Sequence, residues 1–350
     1  MGVKGINAVV TGGNGFTGRR LVEMLLERGC ARIVSFDIAP KADDAVNDPK
    51  VVYMQGDITK PEDVDKACEG ADCVWHVAAL VGPFHPADLY TAVNYEGTMH
   101  VINSCKKYKV GRIIMSSSPS TRMDGSDIDG LTEEQLHFPK KYLQAYAESK
   151  AAGERALCAA NSDELMTVAI APHQLYGPRD PLFLPNFLEA ARTGKLRIFG
   201  SGKYRISFTY IDNYCHALIN GYDNLKKGSP VLGKFYIVTD GGYKVFWEQL
   251  DTAVQAMGYK SLWKKVHIPL WLLWSLAYIC NVIGFFLRRK MKINPFTVRM
   301  LTMHRWFDIS AAEKDLGYKP LVTPEQGWKI TLDWHKENWL PKHTDKSKSS

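Results

Sequence analysis

The residues Thr11-Gly12-Gly13-Asn14-Gly15-Phe16-Thr17-Gly18 stand between a short apolar run and an amphipathic stretch. The run, Ile6-Asn7-Ala8-Val9-Val10, reads as a buried strand, and Arg19 to Arg28 puts Leu21, Val22, Leu25 and Leu26 on one helical face. Glycines between two such elements let the backbone approach a pyrophosphate, and the helix N-terminus supplies free amides and partial positive charge. The octet therefore predicts a dinucleotide on a strand–turn–helix, with Gly12, Gly15, Phe16 and Gly18 as contacts. Its glycines are spaced G-x-x-G-x-x-G, where G-x-G-x-x-G is commoner.

The next predicted strand ends in Val34-Ser35-Phe36-Asp37, and Asp37 lies 19 residues past Gly18. A carboxylate there accepts hydrogen bonds from the adenosine ribose hydroxyls and repels a 2′-phosphate. Ile38, Ala39 and Pro40 follow it, with Lys41 the first cation nearby. NAD is expected over NADP.

Strands and helices then alternate. Strands are expected over 51–55, 73–77, 112–115 and 167–171, and helices over 61–69, 89–109 and 140–160. Such alternation predicts an α/β fold with a doubly wound parallel sheet. Beyond Gly177 the pattern loosens into shorter elements. The expected division is a Rossmann-type dinucleotide-binding domain over 1–176, to which later segments return, then a smaller substrate lobe over 177–340 and a polar tail over 341–350. Seven scattered cysteines, none in a C-x-x-C pair, argue against a disulfide framework or zinc site and for a reducing compartment. No other residues show metal-ligand spacing. The first five residues do not read as a secretory signal or a myristoylation site. A formal charge of +7 raises nucleic acid as a partner, but no basic stripe is interleaved with aromatics, so none is expected.

Tyr146 and Lys150 lie four apart on a predicted helix and so share a face. Oxidising an alcohol needs a group that takes the hydroxyl proton as hydride departs. A tyrosine is a weak base at neutral pH, and a neighbouring ammonium lowers its pKa. A second Tyr-x-x-x-Lys exists at Tyr222 and Lys226. Position selects the first: Ser116-Ser117-Ser118 ends a central strand, where ligands bind in open α/β sheets, and Tyr146 follows 28 residues after Ser118 on the next helix. Tyr222 and Lys226 read as a packing tyrosine and a surface lysine.

Together the octet, the serine run, Tyr146-x-x-x-Lys150 and Asn94-Tyr95-Glu96-Gly97-Thr98 resemble an extended short-chain dehydrogenase/reductase over about residues 6–340. The resemblance implies that Asp57 and Ile58 hold the adenine and that Ala78-Ala79 lies near the adenosine ribose. It implies that Asn94 orders the proton-relay helix and that Ser118, or else Ser117, orients the substrate oxygen. Pro172 and Tyr176-Gly177-Pro178-Arg179-Asp180 resemble the segment that passes the nicotinamide and opens the substrate lobe. Ala171 departs from the pattern, which usually has arginine there. A dimer through helices flanking the sheet is also implied.

From Ile268 to Leu287 the chain carries no charge, and only Pro269, Ser275, Asn281 and Gly284 fall outside the hydrophobic set. Trp263, Trp271, Trp274 and Tyr278 favour membrane interfaces, and Lys264-Lys265 and Arg288-Arg289-Lys290-Lys292 bracket the segment. Because residues 310–318 resemble the end of the soluble fold, a full crossing would sever them from it. Membrane attachment without crossing is expected.

A late membrane-associated helix resembles the 3β-hydroxysteroid dehydrogenase branch. The run Ile170-Ala171-Pro172-His173 to Pro181, with residues 208–213 and 317–323, is most similar to the sterol-4α-carboxylate 3-dehydrogenases (decarboxylating). That resemblance implies NAD(P)-dependent oxidation of a sterol 3β-hydroxyl with loss of carbon dioxide, at the endoplasmic reticulum membrane with the catalytic domain facing the cytosol. A 3β-hydroxysteroid dehydrogenase/Δ5-isomerase, a nucleotide-sugar epimerase or reductase, and a non-catalytic dinucleotide sensor are the alternatives.

Overall fold

The computed structural model describes residues 2–82, 85–287 and 291–344. Seven strands form one parallel sheet: β1 (Asn7–Thr11), β2 (Arg32–Asp37), β3 (Val51–Gln55), β4 (Cys73–His76), β5 (Arg112–Ser116), β6 (Met166–Pro172) and β7 (Lys234–Val238). Their spatial order is β7-β6-β5-β4-β1-β2-β3, so the winding reverses between β1 and β4. In such sheets a crevice opens beyond the carboxyl ends at that reversal.

Strand residues alternate between two cores. Ala8 and Val10 face one layer and Val9 the other; Ile114 faces the first, Ile113 and Met115 the second. The first layer is covered by α1 (Phe16–Glu27), through Leu21, Val22 and Leu25. The second is covered by α2 (Pro61–Cys68), α3 (Gly97–Tyr108) and α4 (Ala145–Ala159) through Val64, Val101, Ile102 and Leu157. Full burial of one such leucine or valine contributes about 1.5–3 kcal/mol.

Two expected helices differ in detail. The span 89–109 is built from a short α-turn, a π-helical turn over Thr91–Glu96, and α3. Helix α4 begins at Ala145, not Lys140, because Gln144 is extended (φ −153°, ψ 152°).

Later segments of the chain return to the sheet. Helix α5 (Ile211–Asn224) packs under it, with the Trp75 indole donating to the Leu218 carbonyl at 3.0 Å, and β7 adds the seventh strand. Tyr222 is buried in α5 under the Arg112 guanidinium and Lys226 is exposed, so the second Tyr-x-x-x-Lys is packing. The lobe's small sheet joins Ile128–Leu131, from before β6, to Arg305–Phe307, Arg205–Ile206 and Lys244–Val245. Helix α5 and strand β7 from beyond residue 177, and Ile128–Leu131 from before it, thus cross the expected boundary at 176/177.

The apolar segment forms α6 (Leu270–Phe286), 17 residues long. Leu273 and Ala277 pack on Val298, Phe199 and Ile293, while Trp271, Phe285 and Phe286 are 72%, 79% and 77% exposed. Among the described residues no helix is long and apolar enough to cross a membrane. The chain after α6 rejoins the main body: Tyr318 donates to the Thr239 carbonyl, and Asn213 bonds the backbone at Leu321 and Val322. Of the basic flanks, Arg288, Arg289 and Lys290 lie outside the described residues. The expected polar tail begins as a helical turn, Leu340–Thr344; residues 345–350 lie outside the description.

Candidate active site

A cleft of about 630 Å³ opens at the reversal point. Gly12, Gly15, Phe16, Gly18, Asp37, Asp57, Ile58, Ala78, Ser118, Tyr146, Lys150 and Pro172 all line it. Asn94 does not. It is buried behind the wall.

At one end, β1 runs into the turn and α1. Gly12 has φ +70°, and a Cβ there would stand 2.8 Å from the Ala78 backbone; a Cβ on Gly18 would stand 2.0 Å from the Gly12 carbonyl oxygen. The turn is therefore closed tightly by backbone alone. Helix α1 has no acidic residue in its first turn, so nothing there competes for its amides. Asp37 accepts the Asn14 amide and the Ala39 amide, both at 2.9 Å, which fixes its carboxylate at the end of β2. Lys41 turns away from it, to Asn47 at 3.2 Å and over the Tyr53 ring. Asp57 accepts the Thr59 amide and hydroxyl at 2.9 and 2.8 Å, so it is a turn cap as well as a cleft residue. A backbone cradle that side chains would fill, amides at a helix N-terminus and a fixed carboxylate fit a dinucleotide.

At the other end, β5 and α4 bring Ser118, Tyr146 and Lys150 together. Tyr146 is half-buried, and its phenol is held above its ordinary range by burial, against a hydrogen bond with Ser118 that lowers it. The Tyr90 ring meets it edge-on at 6.0 Å. Lys150 is 2% exposed; its Nζ donates to the Ser116 carbonyl at 2.7 Å, and burial pushes it down to about 8. The helical spacing predicts a tyrosine pulled down by Lys150. Here burial outweighs the Ser118 hydrogen bond and the shift is upward. Ser117, the fallback for the substrate hydroxyl, is turned inward and donates to Glu154 at 2.6 Å, leaving Ser118 in contact with Tyr146.

Asn94 sits in the π-helical turn. Its side chain clamps the Leu80 backbone, accepting at 2.8 Å and donating at 3.1 Å, and donates to Ser149 Oγ at 3.1 Å. Ser149 in turn donates to the Tyr146 carbonyl at 2.9 Å. Asn94 thus braces both the loop after β4 and the first turn of α4, consistent with an ordering role.

Sequence reasoning missed a buried layer behind these groups. Glu154, on α4, pairs with Arg122 at 2.5 Å, and Arg122 lies between the rings of Phe138 and Phe235. The i,i+4 step from Lys150 to Glu154 could have signalled the carboxylate; nothing local signals Arg122. The segment after Pro172 is also tied down. Arg179, at φ +68°, makes a two-pronged ion pair with Glu23 of α1 at 2.8 and 2.9 Å, and Asp180 caps the helix Phe183–Arg192.

Comparison with known proteins follows the same outline. The model of the 3-beta hydroxysteroid dehydrogenase/isomerase family matches residues 9–270. The human sterol-4-alpha-carboxylate 3-dehydrogenase, decarboxylating, is 34% identical over 330 residues, 92% of this chain and 86% of its own. The 2-alkyl-3-oxoalkanoate reductase of Stenotrophomonas maltophilia is 30% identical over 322 residues, 91% of this chain and 96% of its own. Among solved structures, MoeE5 in complex with UDP-glucuronic acid and NAD superposes with a TM-score of 0.72 at 21% identity, covering 95% of this chain and 99% of that one. At that identity the likeness is one of fold.

Proposed function

The chain belongs to the 3-beta hydroxysteroid dehydrogenase/isomerase family of NAD(P)-dependent dehydrogenases, and from that premise we propose that it oxidises the 3β-hydroxyl of a 4α-carboxysterol, with loss of carbon dioxide. The observation that carries the reading is the convergence of Ser118, Tyr146 and Lys150 on the cleft whose far end holds Gly12, Gly18 and Asp37. Bound there, NAD supplies the hydride acceptor. The fixed Asp37 carboxylate, with Lys41 turned aside, favours NAD over NADP.

Ser118 holds the substrate hydroxyl. Tyr146 takes its proton, and the charge of Lys150 stabilises the phenolate that must form first. The product is a β-keto acid. Its C–C bond to the carboxylate breaks, releasing carbon dioxide as the electron pair passes into the ketone, and the resulting enolate is protonated at the carbon that bore the carboxylate to give the 3-ketone. This step calls for no added base or metal.

The sterol itself is supported by two things. The human relative's name puts a carboxylate on the carbon beside the reacting one, and the exposed apolar face of α6 suits work on a bilayer-dissolved substrate at the endoplasmic reticulum. A second reading comes from the bacterial relative, named for a β-keto acid that it reduces. Both names share a carboxylate β to the carbon that changes oxidation state.

The test is a substrate panel on the full chain: a 4α-carboxysterol, a plain 3β-hydroxysteroid and a 2-alkyl-3-oxoalkanoate, each with NAD(H) and NADP(H). NADH and carbon dioxide formed together from the carboxysterol are expected. Turnover of the plain steroid alone, or of the oxoalkanoate alone, would replace the assignment. Tyr146→Phe is expected to abolish turnover while NAD still binds.

A further inference from the structure

We infer that Glu154 is a positioning residue for this site: from one helical turn beyond Lys150 its buried carboxylate locks the segment that presents Ser118 and supplies the negative charge facing the Lys150 ammonium. The inference rests on the catalytic reading of Lys150 and Ser118 but is carried by different atoms.

Glu154 is 1% exposed, in the middle of α4. An ionised carboxylate so placed persists only when charge and hydrogen bonds surround it. Two groups on the loop after β5 do so. Ser117 Oγ donates at 2.6 Å and Arg122 Nη1 pairs at 2.5 Å, while Thr121 Oγ1, 3.4 Å away, gives its proton to the Ser118 carbonyl at 2.8 Å. Arg122 also donates to Thr121 at 2.6 Å, and its guanidinium is stacked 4.1 Å from the Phe138 ring centre and 3.7 Å from that of Phe235. Ser118 stands in the middle of this clamped segment, so Glu154 fixes its backbone from beneath.

The second effect is electrostatic. Lys150 has its ammonium on the Ser116 carbonyl and, among the described residues, no carboxylate in ion-pair contact. The charged and titratable groups that face it are Glu154 on its own helix, Tyr146 one turn before, and His76 from β4, which burial and the Lys150 charge keep neutral. Those facing Glu154 are Arg122 and Lys150, with Cys158 one turn further along α4. Of these, only Glu154 opposes the loss of the Lys150 proton that burial promotes.

The measurement is the pH at which Lys150 becomes neutral, read as the pH dependence of its reductive methylation by formaldehyde and cyanoborohydride in the whole protein, quantified by mass spectrometry. This readout needs no substrate. In Glu154→Gln, which keeps the shape and loses the charge, the midpoint is expected to fall by about one pH unit, so that labelling at pH 7 quickens about fivefold. Glu154→Asp keeps the charge but cannot reach Ser117 and Arg122 together; its midpoint should stay near the wild-type value while turnover drops, and it serves as the test should the Gln variant not fold. An unmoved midpoint in Glu154→Gln, or a fall in Glu154→Asp of the same size, overturns the inference. Persistent turnover in Tyr146→Phe would instead overturn the catalytic reading and leave the Lys150 midpoints standing.

Discussion

One methyl group at residue 18 decides whether the dinucleotide turn can close. A Cβ there would lie 2.0 Å from the Gly12 carbonyl oxygen and 2.7 Å from the Gly13 Cα, contacts that only backbone movement relieves. Gly18→Ala is therefore expected to weaken NAD binding at least tenfold, about 1.4 kcal/mol, by titration calorimetry, and an unchanged Kd would show that the turn is not the cradle. A residue of another kind is His76, buried at the end of β4. Ala78 N–H donates to Thr11 Oγ1 at 3.2 Å, and Thr11 Oγ1 and His76 Nδ1 are 2.9 Å apart; on the other side His76 Nε2 meets Thr98 Oγ1, whose proton goes to the Asn94 carbonyl at 2.8 Å. Because Thr98 already donates, His76 must donate from Nε2 and accept at Nδ1. Protonation would put a second hydrogen against Thr11. Burial and the Lys150 charge accordingly push its pKa down to about 3. A histidine lowered in the folded state contributes stability that is whole above its unfolded pKa, about 6.5, and that fades as pH falls towards 3. Wild-type protein should lose about 2 kcal/mol more than His76→Gln between pH 7 and pH 5, measured by urea unfolding. Parallel pH profiles would contradict it.

At the scale of elements, legibility in the sequence follows the reach of the interaction that makes each one. The octet, Asp37 and Tyr146-x-x-x-Lys150 are readable because each is local: a turn, a strand end, one helical turn. The π-helical turn at Thr91–Glu96 is not, since what holds it is Asn94 reaching Leu80 and Ser149, far away in the chain. Helix α5 and strand β7 carry ordinary apolar patterns, and long-range contacts such as the hydrogen bond from Trp75 and the pairing with β6 assign them to the sheet instead of the lobe. Spacing places Tyr146 and Lys150 on one face, but that the Lys150 ammonium donates to the carbonyl of Ser116, the first residue of the serine run, is set by how α4 packs against β5. The tie between α1 and the lobe segment is long-range too. Arg179 adopts a left-handed backbone, rare for a side-chain-bearing residue, and a planar fork on Glu23 holds it there. Arg179→Lys keeps the charge and loses the fork. With both side chains about a quarter exposed, it should destabilise the protein by about 1 kcal/mol in urea unfolding. No loss at all would mean that the pair does not restrain the segment.

For the molecule as a whole, α6 sets a boundary condition. Ten large apolar side chains on this helix are exposed: Leu270, Trp271, Leu272, Leu276, Tyr278, Ile279, Val282, Ile283, Phe285 and Phe286. A contiguous surface of that kind is unusual on a protein that meets only water. Seventeen residues rise about 26 Å, short of the roughly 30 Å of a bilayer's hydrocarbon core. Both ends are also anchored to one body, by the Phe199–Ile268 bridge before the helix and by Val298 packing on Leu273 after it. A helix so tethered can lie along a membrane with its outer face in the lipid, whereas threading through would tear residues 295–340 from the fold. The catalytic cleft would then stay on the side of the membrane where the whole chain sits, within reach of a dissolved cofactor and a lipid-borne alcohol. Full-length protein is expected to float with phosphatidylcholine vesicles in a density gradient. Replacing Trp271, Phe285 and Phe286 together by serine should leave it at the bottom, with NAD binding intact because none of the three lines the cleft. Wild-type protein that fails to float but sediments as a dimer, and a triple variant that sediments as a monomer, would mean that a second copy covers this face in place of lipid.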